Sequence, residues 1–304
     1  MNSQVLEKLH EILPEGSILL HEPMKKHTTF RIGGEAEVFL EIEDLAQLQQ
    51  VLPLLIEAEE PYFLLGNGSN LLVSDTGYQG TILHLSGEFT DVLIRDNLVT
   101  VGAGVLLSTV ARMAAEKGLT GLEFAAGIPG TIGGAMVMNA GAYGGEMKQV
   151  VKTAMLMSPE GDLMSVSGED MAFGYRTSRI KHSKDILLSV TLELAQGNRD
   201  DILTTMQELA LKRREKQPLE YPSAGSTFKR PEGNFAGKLI MDCGLRGYQV
   251  GGAQVAEKHC GFVINKNQAT AKDVSDLMKH IQQVVQKETG VLLEKEIIFL
   301  GDFE

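Results

Sequence analysis

Twenty residues from Gly127 to Glu146, GIPGTIGGAMVMNAGAYGGE, constrain this chain more than any other stretch. So dense a run of glycine predicts turns and close backbone approach rather than an ordinary helix or strand. A backbone without Cβ atoms reaches positive φ and lets a ligand come near, at an entropic cost that proteins normally avoid. A second such segment, Leu65-Gly66-Asn67-Gly68-Ser69-Asn70-Leu71, follows the apolar run Tyr62 to Leu65, which reads as a buried strand ending at a tight turn. Successive N–H groups in glycine-rich turns form anion-binding concavities, so two of them are suited to cradle a diphosphate. A single turn of this kind is most often plain punctuation. Two, bordered by small and apolar uncharged residues, favour a phosphorylated ligand.

Familiar phosphate signatures do not fit. No G-x-x-x-x-G-K-[ST] occurs, and Val99 to Ser108 imitates a dinucleotide fingerprint through Gly102-x-Gly104 but has Leu107 at the third glycine position. That stretch reads as a strand end leading to a helix capped by Ser108. With 304 residues, 43% of them hydrophobic, the chain is long enough for two domains or three. Its formal net charge of -12 argues against nucleic acid or an anionic membrane as main partner, since both need a basic face.

Cys243 and Cys260 show no C-x-x-C spacing, the seven histidines form no H-E-x-x-H array, and no metal is expected. The N-terminal MNSQVLEKLHEILPEG is a charged amphipathic helix pattern rather than a signal peptide, and nowhere do about 18 apolar residues run together. The expectation is a cytoplasmic protein. Nothing in the sequence points to a particular oligomeric state.

Ala36 to Ile42 alternates as a strand, Asp44 caps a helix carrying Leu45, Leu48, Leu52, Leu55 and Ile56, and Tyr62 to Leu65 completes a β-α-β unit in which Pro53 predicts a kink or break. Strands follow at Thr81 to Leu85 and Val92 to Val101, the latter folded at Asp96-Asn97. A helix over Ser108 to Lys117 closes at Gly118. Thr153 to Ser158 and Leu163 to Val166 form a hairpin, and Ile186 to Leu194 is a further strand. The polar break at 196–201 precedes a helix to Lys216 and predicts a domain boundary. Beyond it come a helix near Asn234 to Cys243 and strands near Tyr248 to Val255 and Gly261 to Asn265. An amphipathic helix then starts at Thr270, with Asp273 in capping-box spacing, and ends at Gly290. Leu292 to Leu300 predicts a closing strand with Glu294 and Glu296 on one face.

Six ordered segments share one resemblance. His27-Thr28-Thr29-Phe30-Arg31-Ile32-Gly33-Gly34, the LGNGSNLLV run from Leu65, the stretch Gly127 to Glu146, Phe173-Gly174-Tyr175-Arg176-Thr177-Ser178, Ala224-Gly225-Ser226-Thr227-Phe228-Lys229 and Leu293-Glu294-Lys295-Glu296-Ile297 resemble the UDP-N-acetylenolpyruvoylglucosamine reductase family. The resemblance implies an α+β chain: an N-terminal helical extension (1–26), an FAD-binding domain of the vanillyl-alcohol-oxidase type (27–196, subdomains about 27–86 and 87–196) and a substrate domain (197–304). It implies non-covalent FAD, NADPH as hydride donor and a UDP-sugar substrate in peptidoglycan precursor synthesis. Only 50 positions separate Arg176 from Ser226, too few for the long tyrosine-bearing loop of the family's longer members, so the chain resembles the short class.

The resemblance assigns roles residue by residue. Arg176 stabilises the charge that develops when hydride reaches the enolpyruvyl group, Ser226 delivers a proton, and Glu296 is an acid beside the substrate carboxylate. Tyr175, Lys216 and Lys229 fall at substrate-binding positions. Gly66, Asn67, Gly68, Ser69, Asn70 and Leu71, with Gly127, Pro129, Gly130, Thr131, Ile132, Gly133, Asn139, Gly141 and Ala142, fall on the cofactor. Read without the resemblance, Arg176 is a surface cation, Ser226 a turn residue, Glu294 and Glu296 solvated edge charges and the lysines loop charges. Two rivals stay open: an FAD-dependent oxidase of a small alcohol or lactone on the same fold, and a non-catalytic flavin-binding module.

Overall fold

The structure, a computed structural model, describes residues 1–303. By packing the chain divides into two compact units. Met1–Leu19, Val38–Asn67 and Gly80–Arg213 form the first, while Leu20–Glu37, Gly68–Gln79 and the chain from Arg214 onward form the second. Each has its own apolar core.

In the first unit the β-α-β reading holds. The helix Leu45–Glu57 buries Leu48, Val51, Leu52 and Leu55, and Asp44 caps it by accepting the Gln47 N–H at 2.8 Å. Its flanking strands Glu35–Ile42 and Tyr62–Leu65 belong to a four-stranded sheet in the order Ile18–Pro23, Glu35–Ile42, Tyr78–Leu85, Tyr62–Leu65. Of the kink or break expected at Pro53, the break is excluded: Pro53 lies inside the helix without ending it. Proline removes the bond to the carbonyl of Gln49, an exposed residue that water can serve. Burying four aliphatic side chains at about 1.5–3 kcal/mol each outweighs the roughly 3 kcal/mol penalty.

A five-stranded antiparallel sheet follows, ordered Leu163–Ser167, Val151–Met157, Ile186–Glu193, Leu98–Gly102, Val92–Arg95. The turn expected at Asp96-Asn97 is present, with Asp96 at φ 53° between paired Arg95 and Leu98. The helix Leu107–Glu116 starts one residue earlier than expected. Its N-cap is Leu106, and Ser108 does not cap it. The reason is tertiary: Leu107 N–H donates to the Gly130 carbonyl at 2.9 Å, so a backbone partner from the glycine stretch does the work of a capping side chain.

The second unit joins a three-stranded ladder (Gln249–Val250, Ala253–Val255, Val263–Asn265) to the helices Ala236–Asp242 and Ala271–Thr289, with Leu71–Val73 pairing parallel to Ile298–Leu300. The capping box at Thr270 and Asp273 is formed and Gly290 closes the helix at φ 74°. Asp75 accepts the Ala271 and Lys272 N–H groups at 2.7 and 2.9 Å, completing that terminus. The closing strand is shorter than expected, starting at Ile298. Glu294 and Glu296 precede it in an irregular segment whose only regular pairing is the antiparallel bridge of Lys295 with Phe228.

Candidate active site

The glycine stretch is not entirely irregular. Ile132–Val137 forms a six-residue helix capped by Thr131, whose Oγ1 accepts the Gly134 N–H at 3.3 Å, and Gly141–Ala142 pairs with Gly145–Glu146 as a short hairpin. Ala135 and Met136 anchor the helix in the core, and this apolar contact overrides the low helix propensity of glycine. The stretch is fixed to its surroundings by backbone bonds from Ile132 N–H to Val105 and Gly133 N–H to Ala103, both 2.8 Å. Those two expected cofactor residues therefore have their N–H groups committed within the protein.

Gly130 and Thr131 are different. Both are buried, and neither N–H donates to a group among the described residues. Buried unpaired N–H groups are rare unless a ligand or water takes them. Gly66 lies against Thr131, where a Cβ would stand 2.5 Å from Thr131 Oγ1, and Asn67 Nδ2 donates to the Pro129 carbonyl at 2.5 Å. The first unit thus brings the start of one glycine segment against the other, as a diphosphate cradle requires. Among the described residues the N–H groups of Gly66 and Asn67 also lack acceptors, as do those of Gly68, Ser69 and Asn70, which belong to the second unit.

Arg213 is a candidate that sequence reading passed over. Burial pushes its guanidinium below the usual arginine range, opposed by Tyr143, and it forms no hydrogen bond or ion pair among the described residues. A Cβ on Gly127 would lie 2.8 Å from its Nη1. A half-buried cation without an ion-pair partner among the described residues, beside a glycine loop, suits an anionic ligand.

Arg176 sits at the tip of a tight hairpin closed by the Gly174–Thr177 bridge, at φ 55°. Its guanidinium lies 5.4 Å from the Tyr175 ring centroid, and Tyr175 is 58% exposed. The hairpin is pinned to the glycine stretch. Asn139 Nδ2 donates to the Gly174 carbonyl and to Glu146 Oε2, both at 3.1 Å, and Ser178 Oγ donates to the Val137 carbonyl at 3.0 Å. Asn139 is itself buried and accepts the Lys148 N–H, so its side chain is spent on the protein.

In the second unit, the loop that carries Ser226 pairs with the segment that carries Glu296. The Phe228–Lys295 bridge is flanked by Glu296 N–H to the Thr227 carbonyl and Lys229 N–H to the Glu294 carbonyl, both 2.9 Å. Buried Thr227 locks the loop by accepting the Val263 N–H on its Oγ1. Lys229 Nζ pairs with Glu294 Oε2 at 2.9 Å, which holds that carboxyl below the ordinary range. Lys216 is exposed at the end of the helix Arg199–Lys216. Arg176 belongs to the first unit; Ser226, Glu296, Lys216 and Lys229 belong to the second. Among the described residues no His, Cys, Asp and Glu grouping could hold a metal, and no helix is long and apolar enough to cross a membrane.

An α+β flavoprotein is the class that this fold and these cradles define: residues 36–167 match the profile of an FAD binding domain. Residues 217–300 match that of the UDP-N-acetylenolpyruvoylglucosamine reductase C-terminal domain. A curated UDP-N-acetylenolpyruvoylglucosamine reductase of Agathobacter rectalis is 48% identical, covering 100% of both chains. The crystal structure of UDP-N-acetylenolpyruvylglucosamine reductase from Thermus caldophilus superposes with a TM-score of 0.80 at 37% identity, over 93% of this chain and 98% of that one. At 12% identity, a Phl p 4 variant described as a glucose oxidase shares the fold alone, with a TM-score of 0.50 over 64% of this chain and 44% of its own. The chain belongs to the UDP-N-acetylenolpyruvoylglucosamine reductase family.

Proposed function

We propose that this chain reduces the enolpyruvyl group of UDP-N-acetylenolpyruvoylglucosamine to give UDP-N-acetylmuramate, with NADPH as reductant and non-covalent FAD, in cytoplasmic peptidoglycan precursor synthesis. The observation that supports the reading is the Phe228–Lys295 bridge, which joins the loop carrying Ser226 to the segment carrying Glu296 within the region matched by the reductase profile. Neither the oxidase nor the non-catalytic reading gives that pair a task.

FAD fits the residues present: among the described residues the buried Gly130 and Thr131 N–H groups have no acceptor, Gly66 packs directly on Thr131, and Arg213, which has no hydrogen bond or ion pair among them, lies against Gly127. Gly66, Asn67, Gly130 and Thr131 would hold its diphosphate through main-chain N–H groups, and Arg213 would supply positive charge. When bound, FAD supplies the hydride carrier between NADPH and the substrate.

Addition of hydride to the terminal enolpyruvyl carbon places an electron pair on the neighbouring carbon, delocalised into the carboxylate. Arg176 stabilises that charge, which exists only in the transition state and after it. Ser226 Oγ–H gives its proton to the carbon bearing the pair, and Glu296 acts as an acid beside the carboxylate. Lys216 and Lys229 face the UDP diphosphate, and Tyr175 packs against the substrate. Replacing Glu296 with Gln tests the assignment. FAD binding and reduction by NADPH stay as in the parent, while reoxidation by the enolpyruvyl substrate slows by about 100-fold or more. Unchanged reoxidation removes Glu296 from the reaction.

A further inference from the structure

Asn70 ends the first glycine segment, where the sequence assigns it to the cofactor. In the structure its side chain is committed elsewhere: Nδ2 donates to the main-chain carbonyl of Glu296 at 3.1 Å. Its own carbonyl accepts the Ile298 N–H at 2.9 Å, the first rung of the parallel pairing that sets Ile298 opposite Leu71. A ladder continued one step further back would use the Asn70 main-chain N–H to reach the Glu296 carbonyl. The side-chain amide takes that place, and the main-chain N–H is left without a protein acceptor.

Glu296 is held from both sides as a result. Its N–H donates to the Thr227 carbonyl in the loop that carries Ser226, and its C=O accepts from Asn70. Around it the chain is irregular until Ile298, so these two bonds do what a strand would otherwise do, fixing the φ and ψ of Glu296 and with them the direction of its Cα–Cβ bond. We infer that Asn70 is a positioning residue for Glu296: its amide orients the acid, and the same substitution of side chain for main chain frees an N–H on the glycine segment for an anionic ligand. The inference rests on the proposed role of Glu296.

The test is a double-mutant cycle on the FAD-loaded enzyme, comparing parent, Asn70→Ala, Glu296→Gln and the double variant. It reads FAD affinity by absorbance titration, flavin reduction by NADPH, and single-turnover reoxidation by UDP-N-acetylenolpyruvoylglucosamine. Asn70→Ala is expected to keep FAD affinity within about threefold and to leave NADPH reduction unchanged, while reoxidation slows about 10- to 100-fold, the scale of a small misplacement of a reacting group. In the Glu296→Gln background the same change is expected to slow reoxidation by less than about twofold, because a residue acting through another has no effect once that other is gone. Equal slowing in both backgrounds overturns the inference, as does a tenfold or greater loss of FAD affinity, which makes Asn70 a cofactor contact. If Glu296→Gln slows reoxidation and Asn70→Ala does not, the positioning role alone fails. If Glu296→Gln has no effect, the proposed reaction role fails and the inference with it. Asn70→Asp, isosteric and lacking the donor, serves the same cycle should the alanine variant not fold.

Discussion

Lys229 holds Glu294 at 2.9 Å across the bridge of Phe228 and Lys295, so a substrate diphosphate has to draw this lysine away from a carboxylate. Replacing Glu294 with Gln removes the competitor. The expected outcome is a several-fold lower KM for the UDP-sugar with kcat little changed, the pattern of a purely binding effect; an unaltered KM takes Lys229 out of the diphosphate site. Arg213 makes the opposite case, a half-buried cation with no hydrogen bond or ion pair among the described residues. Arg213→Gln is expected to weaken FAD binding about 10- to 100-fold, the range for a charge-assisted hydrogen bond of roughly 1.5–3 kcal/mol, and an FAD titration with unchanged affinity contradicts it. Nothing in the local sequence distinguishes Arg213 from its neighbours Lys212 and Arg214, both exposed on the same helix. Its isolation depends on Gly127, 86 positions away, and separation of that kind is invisible to a reading by local pattern.

At the scale of elements, the contact of Gly66 with Thr131 predicts a specific rescue. A Cβ on residue 66 meets only the Thr131 hydroxyl, at 2.5 Å, with the next atoms at 3.6 Å. Gly66→Ala is expected to destabilise by about 1–2 kcal/mol, by overpacking and by displacing the cap of the helix Ile132–Val137. Adding it to Thr131→Ala should do little more harm, since the clashing atom is gone; thermal melts that show full additivity contradict this.

The capping box of the helix Ala271–Thr289 carries a pH signature. Burial raises the Asp273 carboxyl, but hydrogen bonds from the Thr270 and Gly252 N–H groups outweigh it and hold the group below the ordinary aspartate range. A carboxyl depressed in the folded state contributes stability above its unfolded pKa of about 3.9 and loses it as pH falls through the folded value. Asp273→Asn should therefore cost about 1 kcal/mol at neutral pH, with the difference from the parent shrinking below about pH 4. Denaturant melts at the two pH values check it, and a difference that persists undiminished in acid contradicts it. This helix was readable from its sequence because Thr270, Asp273 and Gly290 act locally. Elements set by partners elsewhere in the chain were not: Leu107 takes its N-terminal bond from Gly130, Pro53 is carried by buried leucines around it, and the closing strand begins where Leu71 can pair with Ile298.

Across the whole molecule, the second unit gathers Leu20–Glu37, Gly68–Gln79 and the chain from Arg214, so its core joins Phe30, Ile32 and Leu72 to residues nearly 200 positions later. Composition and periodicity carry no record of such assembly, because hydrophobic burial is indifferent to order along the chain. The six motifs, by contrast, were visible from the start, but only as a set resembling one family; taken singly, Arg176, Ser226 and Glu296 read as a surface cation, a turn residue and an edge charge. Arg176 belongs to the first unit and Ser226 with Glu296 to the second, and the proposed reaction gives each of them a part. Single-turnover spectroscopy of the FAD-loaded protein tests that most directly. NADPH under anaerobic conditions should bleach the flavin absorbance, and subsequent addition of UDP-N-acetylenolpyruvoylglucosamine should restore it with formation of one equivalent of UDP-N-acetylmuramate per flavin. Bleaching that the enolpyruvyl substrate fails to reverse contradicts the account.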